Sequence, residues 1–148
     1  MAVNGRTLLA KAPIKNMFEA KQYEHGVSHG LSEAGYDIRV KQPIVLGYEN
    51  RFTIASAIEE FDMPHDLLGI VHDKSTWARR GLSVFNTVIE PGWKGFLTLE
   101  LVYHGPGELN ILPGSGIAQV IFHQVTDQMA YTGRYQNQAD RPVEAISS

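Results

Sequence analysis

The sequence predicts an all-β fold with short helical segments, a sandwich or distorted jelly roll, from three observations. Its apolar runs are short, they are separated by Gly, Pro, Asn or Asp, and their spacing suits packed strands rather than helical periodicity. Taken in order, Arg6 to Lys11 is a candidate short helix that stops before Pro13. From Pro13 to Gly35 the chain reads as irregular, interrupted by Gly26 and Gly30, so residues 1–29 are expected to form an irregular N-terminal segment. Strand candidates are Tyr36 to Lys41, Ile44 to Leu46, Arg51 to Ile58, Leu68 to His72, Leu82 to Asn86, Phe96 to Tyr103, Leu109 to Ile111 and Gly116 to Val125. Ser75 to Arg80 has the length of one or two helical turns. Ser75 suits its start and Gly81 its end, an arrangement that aims backbone N–H groups at whatever precedes it. Residues 126–148 form a C-terminal segment that finishes in a polar tail from Ala139 to Ser148.

The 148 residues suit one domain, 1–148, with a sizeable hydrophobic core. A net charge of −3 argues against electrostatic wrapping of nucleic acid, which needs a basic face, yet leaves room for a small anion held by local cations. The chain has no cysteine, so it has neither a disulfide framework nor a thiolate metal site. No signal-peptide core opens it and no apolar run nears the roughly 20 residues of a membrane span, which makes a cytoplasmic protein the expectation.

Chemistry concentrates between positions 72 and 100. His72-Asp73-Lys74-Ser75-Thr76-Trp77-Ala78-Arg79-Arg80-Gly81 joins polar and cationic groups to a turn, a combination suited to phosphate. Ile89-Glu90-Pro91-Gly92-Trp93-Lys94-Gly95 and Thr98-Leu99-Glu100 follow. Strand alternation puts Leu97, Leu99 and Leu101 on one face and Phe96, Thr98 and Glu100 on the other. With the leucines in the core, Glu100 faces either water or a cleft, where a carboxylate can manage protons. Taken singly, each signal has a plainer reading: a solvated strand carboxylate, a solvated basic turn at Lys74, Arg79 and Arg80, an aromatic plug at Trp93, and a structural Asp37. Gly35, Gly81 and Gly95 satisfy backbone geometry rather than a Walker pattern. His25 and His29 are four residues apart, but Gly26 and Gly30 argue against a helix presenting them to a metal.

Seven blocks in order resemble one family: Ala34-Gly35-Tyr36-Asp37-Ile38-Arg39, Pro64-His65-Asp66-Leu67-Leu68-Gly69, Lys74-Ser75-Thr76-Trp77-Ala78-Arg79, Ile89-Glu90-Pro91-Gly92-Trp93, Thr98-Leu99-Glu100, Gly116-Ile117-Ala118-Gln119 and Gly133-Arg134-Tyr135-Gln136-Asn137-Gln138. Together, from about Gly30 to Gln138, the chain resembles the dCTP deaminase branch of the dUTPase-like superfamily. The resemblance implies a homotrimeric dUTPase-like β-barrel with active sites between subunits, converting dCTP to dUTP and ammonia, with Mg²⁺ carried by the triphosphate. Glu100 matches the catalytic glutamate that activates water for attack at C4 and passes the proton to the departing amine. Ser75 and Arg79 match the active-site serine and arginine. Lys74 stands where an arginine is usual and would neutralise phosphate as a point charge. Thr76, Trp77 and Ala78 fall within the same substrate-binding block.

Further matches are implied for Glu90, in place of an aspartate near the deoxyribose 3′-hydroxyl, for Thr98 and Leu99, whose backbone contacts the base, and for the nucleotide-binding Gln119. Arg134 and Gln138 match the C-terminal segment that closes over the triphosphate, with Tyr131 as its tyrosine. The loop from Phe85 to Glu90 is shorter than in long-chain deaminases. Asn86-Thr87-Val88-Ile89-Glu90 keeps the Thr-x-x-Glu part of the Asn-x-Thr-x-x-Glu arrangement of shorter relatives, with Asn86 directly before Thr87, which keeps Thr87 as a substrate contact. Zinc-dependent cytidine deaminases carry His-x-Glu and Pro-Cys-x-x-Cys, and neither occurs in this chain, so a carboxylate rather than zinc is expected to activate water.

Two other functions fit parts of the pattern. One is a dUTP pyrophosphatase, or a bifunctional enzyme that also hydrolyses dUTP to dUMP, with Glu90 orienting water toward the α-phosphate. The Pro91-Gly92-Trp93 turn and the lack of a Gly-rich C-terminal motif argue against the simple pyrophosphatase. The other is a non-catalytic nucleotide-sensing or protein-binding module, against which stands the joint presence of Ser75, Arg79 and Glu100. dTTP is a candidate inhibitor of the family reaction.

Overall fold

The computed structural model describes residues 1–147. Its strands are β1 (Ala2–Val3), β2 (Lys21–Glu24), β3 (Val27–Leu31), β4 (Tyr36–Arg39), β5 (Ile44–Leu46), β6 (Phe52–Asp62), β7 (Leu67–Asp73), β8 (Leu82–Val84), β9 (Val88–Ile89), β10 (Lys94–Tyr103), β11 (Leu109–Ile111) and β12 (Gly116–Gln124). Two short helices, α1 (Gly5–Lys11) and α2 (Ser75–Ala78), complete the fold. The largest sheet runs β2-β3-β4-β12-β7-β9, with β1 also paired to β12; β6-β10-β8 and β11-β5 form the other two. Pairing is antiparallel between the named strands.

The sheets bury one apolar core. Ile38, Val120 and Phe122 of the large sheet are fully enclosed with Ala55, Phe61, Leu99 and Leu101 of the β6-β10 layer. Between the layers, Glu59 on β6 receives the Arg39 backbone N–H and the Arg39 Nε, each at 2.8 Å. Burial pushes the Glu59 carboxyl up and Arg39 opposes it, so the pair ties β4 to β6 while keeping the carboxylate hydrogen-bonded.

The expected all-β character and most strand positions agree with this architecture, and α1 extends the expected Arg6 to Lys11 helix by one residue. The irregular reading of Pro13 to Gly35 does not hold, because β2 and β3 make a hairpin there. His25 and Gly26 adopt positive φ of 52° and 75°, a two-residue turn whose twist matches that of paired strands. All of β2 is exposed, so it carries no alternation to betray it. The Ser75 to Arg80 turn forms, but as a single helical turn whose N-cap is Lys74 without a side-chain cap bond, so Ser75 is not the cap.

Alternation along β10 also needs one correction. Leu99 and Leu101 are fully buried, whereas Leu97 is only partly buried and lines the same cleft as Thr98 and Glu100. The register against β6 changes between Phe96, opposite Glu60, and Thr98, opposite Ser56, with the extra residues on β6. A bulge of this kind bends the strand that carries it, and Leu97, beside it on β10, packs against the core while also reaching the cleft.

Candidate active site

Glu100 stands midway along β10 and faces a cleft of about 730 Å³. Its floor comes from β10 and β6, its wall from the loop 86–90, and its cover from the C-terminal segment. The Glu100 carboxyl is half-buried, its Oε2 has no hydrogen-bond partner, and burial pushes it above the usual glutamate range while its own backbone N–H pulls the other way. A carboxyl raised by desolvation rather than by a neighbouring charge is better suited than an ordinary glutamate to accept and then return a proton. Asn86 fixes the backbone beneath it. Its Oδ1 accepts the Glu100 N–H at 3.1 Å and its Nδ2 donates to the Thr98 carbonyl at 2.9 Å.

Thr87 and Glu90 line the cleft as exposed side chains, opposite Tyr131 and Gln138. Thr98 is buried, with its Oγ1 accepting from Gln138 Nε2 and from the Val143 N–H. Leu99 lies wholly in the core, opposite Ala55 of β6, and does not line the cleft. Trp93 fills the space below the Pro91-Gly92 turn, 5.9 Å from Phe61 between ring centres, and donates Nε1 to the Tyr135 carbonyl at 2.7 Å. The plug reading of Trp93 therefore holds, although its edge also reaches the cleft.

The C-terminal segment is laid along β10 by close approach. Gly95, at φ +133°, bridges Gln138, and a Cβ there would sit 2.4 Å from the Gln138 backbone nitrogen, so only glycine admits this crossing. Gln138 also donates to the Phe96 carbonyl at 2.8 Å. Tyr131 receives the Tyr135 N–H on its hydroxyl, and Arg134, itself exposed, donates to the Ile146 carbonyl at 2.6 Å.

The α2 turn sits elsewhere. Ser75, Thr76, Ala78 and Arg79 are exposed, and none of them lines the Glu100 cleft of the same chain. Trp77 is buried and donates Nε1 to the Gly116 carbonyl at 2.7 Å, so its ring anchors the turn to β12 instead of meeting a ligand. Lys74 is likewise buried, with Nζ 2.6 Å from Asp37 Oδ2 and 2.9 Å from Ser28 Oγ. The reading of Lys74 as a phosphate cation meets a physical obstacle here, because its ammonium is committed to Asp37 across the sheet. Asp37→Ala is expected to destabilise the fold by about 3 kcal/mol by stranding that charge, measurable as a lower urea midpoint. Gln119, on the β12 strand between β4 and β7, donates to Ser32 Oγ at 3.0 Å and lies outside the cleft. His25 bonds to the Pro113 carbonyl and His29 packs edge-on against Phe18.

The cleft is acidic. Glu90, Glu100 and Glu144 line it, and no Lys, Arg or His does among the described residues. Sequence comparison bears on this geometry directly, because residues 37–125 match the profile of a family described as dCTP deaminase-like. The chain belongs to that family. It is 31% identical to a dCTP deaminase of Acidobacterium capsulatum across 93% of this chain and 96% of that protein. It is 37% identical to a dCTP deaminase of Campylobacter jejuni across 76% of this chain and 78% of that one. Among solved structures, the native dUTPase of EIAV superposes with a TM-score of 0.58 at 20% identity, covering 84% of this chain and 94% of that one. A Staphylococcus bacteriophage 80alpha dUTPase mutant with dUpNHpp gives 0.59 at 16% identity, covering 81% and 91%. These likenesses show the shared dUTPase-type jelly-roll fold, and the chain is an enzyme of the dCTP deaminase-like family.

Within this family member, three cleft features escaped sequence reasoning. Asn86 appears in sequence as a motif position without an assigned role, Tyr135 only as part of the Gly133 to Gln138 block, and the stretch Val143-Glu144-Ala145 as polar tail. The Asn86 signal was present in its fixed distance from Glu90, but its partners on β10 are invisible without the fold.

Proposed function

We propose that this protein hydrolyses dCTP to dUTP and ammonia, and the observation that carries the reading is the half-buried Glu100, with an unpartnered oxygen, facing the cleft. The Glu100 carboxylate takes a proton from water as the water oxygen bonds to C4 of cytosine. The same carboxyl then gives that proton to the exocyclic amine, the C4–N bond breaks and ammonia leaves, and as the C4 hydroxyl becomes a carbonyl its proton ends on N3 of the uracil. The overall balance is dCTP plus water to dUTP plus ammonia. In this reading the Thr98 and Leu99 backbone contacts the base, as the family resemblance implies, and Thr87 and Glu90 meet the sugar.

A triphosphate cannot settle in a cleft whose charged lining residues are all carboxylates without added positive charge. The exposed Ser75 and Arg79 of a second copy supply it in this reading, giving a closed homotrimer with shared sites. Mg²⁺ enters with the triphosphate, and Arg134, Gln138 and Tyr131 act in the segment that closes over it. Thr76, Ala78 and Gln119 serve the same shared site from the neighbouring surface. A cytoplasmic location fits a cysteine-free enzyme of nucleotide metabolism. Among the described residues no helix is long and apolar enough to cross a membrane.

The test is product analysis with purified protein, Mg²⁺ and either dCTP or dUTP, with and without dTTP. Ammonia from dCTP and no pyrophosphate from either nucleotide is the expected result. Pyrophosphate from dUTP alone would mark a pyrophosphatase, both products from dCTP a bifunctional enzyme, and tight dCTP binding without product a sensing module.

A further inference from the structure

The edge of β10 beneath the carboxylate is closed by a side chain instead of a strand. The short β8 pairs only with Leu101 to Tyr103, so its hydrogen bonds stop just past Glu100. Beyond that point the Phe85 N–H donates to the Glu100 carbonyl at 2.7 Å, and the Asn86 amide takes over with one acceptor bond to the Glu100 N–H and one donor bond to the Thr98 carbonyl. A primary amide with both ends engaged has no freedom to rotate, and it reproduces the donor and acceptor of a neighbouring strand.

We infer that Asn86 is the positioning residue of the active site: it clamps the Thr98–Glu100 backbone and withholds the Glu100 N–H from the Glu100 carboxylate. This rests on the deaminase reading for its catalytic consequence. The Glu100 N–H is the one local donor that pulls the carboxyl downward, and Asn86 Oδ1 competes for it. The other titratable groups facing the cleft are Glu90, Glu144, Tyr131 and Tyr135, from the loop 86–90 and the C-terminal segment. None of these is a cation that would offset the loss of Asn86. The clamp also occupies the Glu100 N–H, which an incoming base cannot use while Asn86 holds it, whereas the Thr98 carbonyl keeps a second lone pair.

The experiment compares full-length wild type with Asn86→Ala and the isosteric Asn86→Asp. Three readouts apply: exchange of the Glu100 amide by NMR, titration of the Glu100 carboxyl by ¹³C NMR, and ammonia release from dCTP across pH. In Asn86→Ala the Glu100 amide is expected to exchange faster and kcat to fall roughly tenfold or more with KM little changed. The carboxyl titration and the acid limb of kcat should both move to lower pH. In Asn86→Asp they should move to higher pH, because the new carboxylate adds like charge beside Glu100. Unchanged exchange and titration, a loss confined to KM, or shifts of the same sign in both variants would overturn the inference. Should wild type release no ammonia from dCTP, the proposed function fails, while amide exchange and carboxyl titration still decide whether Asn86 holds Glu100 as stated. Asn86→Asp preserves side-chain volume, so it carries the test if the alanine variant does not fold.

Discussion

Glu100→Gln is expected to bind dCTP, keep its fold, and lose ammonia release by about 10²- to 10⁴-fold, the usual contribution of a positioned proton-transfer group. Glutamine matches the shape of the side chain but cannot take the proton from water. Binding by calorimetry alongside an ammonia assay checks both halves, and retained turnover would remove Glu100 from the mechanism. The wild-type pH profile should show an acid limb above the ordinary glutamate range, because burial pushes the carboxyl up and the base form is lost as pH falls through that raised value. The stability consequence has the opposite sense. A carboxyl whose folded pKa exceeds its unfolded one contributes stability below about pH 4.3, and that contribution is lost as pH rises through the folded value. Glu100→Gln should therefore raise the thermal midpoint relative to wild type at pH 7, with the difference closing toward pH 4.

Mixing two inactive variants should restore activity. Arg79→Ala lacks the cation that one copy offers, and Glu100→Gln lacks the base of the other, so neither homotrimer holds a complete site under the proposed arrangement. When the two are unfolded together and refolded in equal amounts, about a quarter of the sites in a closed trimer should pair an intact Glu100 with an intact Arg79. The ammonia assay would then read roughly a quarter of wild-type turnover, from two preparations that are each close to inactive. No recovery, with trimers shown by light scattering to have exchanged, would place Arg79 and Glu100 in sites that are not shared. Arg79 is exposed at the end of the α2 turn, and the cleft holding Glu100 has no cation of its own among the described residues.

Lys74 illustrates how the sequence reading and the fold part company. In sequence it sits among phosphate-type residues, and nothing within several positions signals burial. Its partner Asp37 lies on β4, brought near through β12, which pairs with both β4 and β7. The buried ion pair thus turns an apparent ligand into the strut that holds the α2 turn, while Trp77 secures the same turn from the other side. The β2-β3 hairpin was hidden for a related reason: a fully exposed strand shows no apolar alternation, and its pairing is decided by the backbone of the His25-Gly26 turn.

Ordered motifs and strand alternation were enough, with no coordinates, to indicate a β-rich dCTP deaminase-like chain and to aim Glu100 away from Leu99 and Leu101. Those properties repeat over a few neighbouring residues, where the period of an extended backbone dictates facing. Tertiary structure alone decided that Lys74 is spent on Asp37, that Leu97 reaches the cleft as well as the core, that Asn86 clamps β10, and that Val143 reaches Thr98. Each of these depends on a partner distant in the chain or on a change of register, and desolvation of a charge is set by whatever packs around it once the sheets have closed.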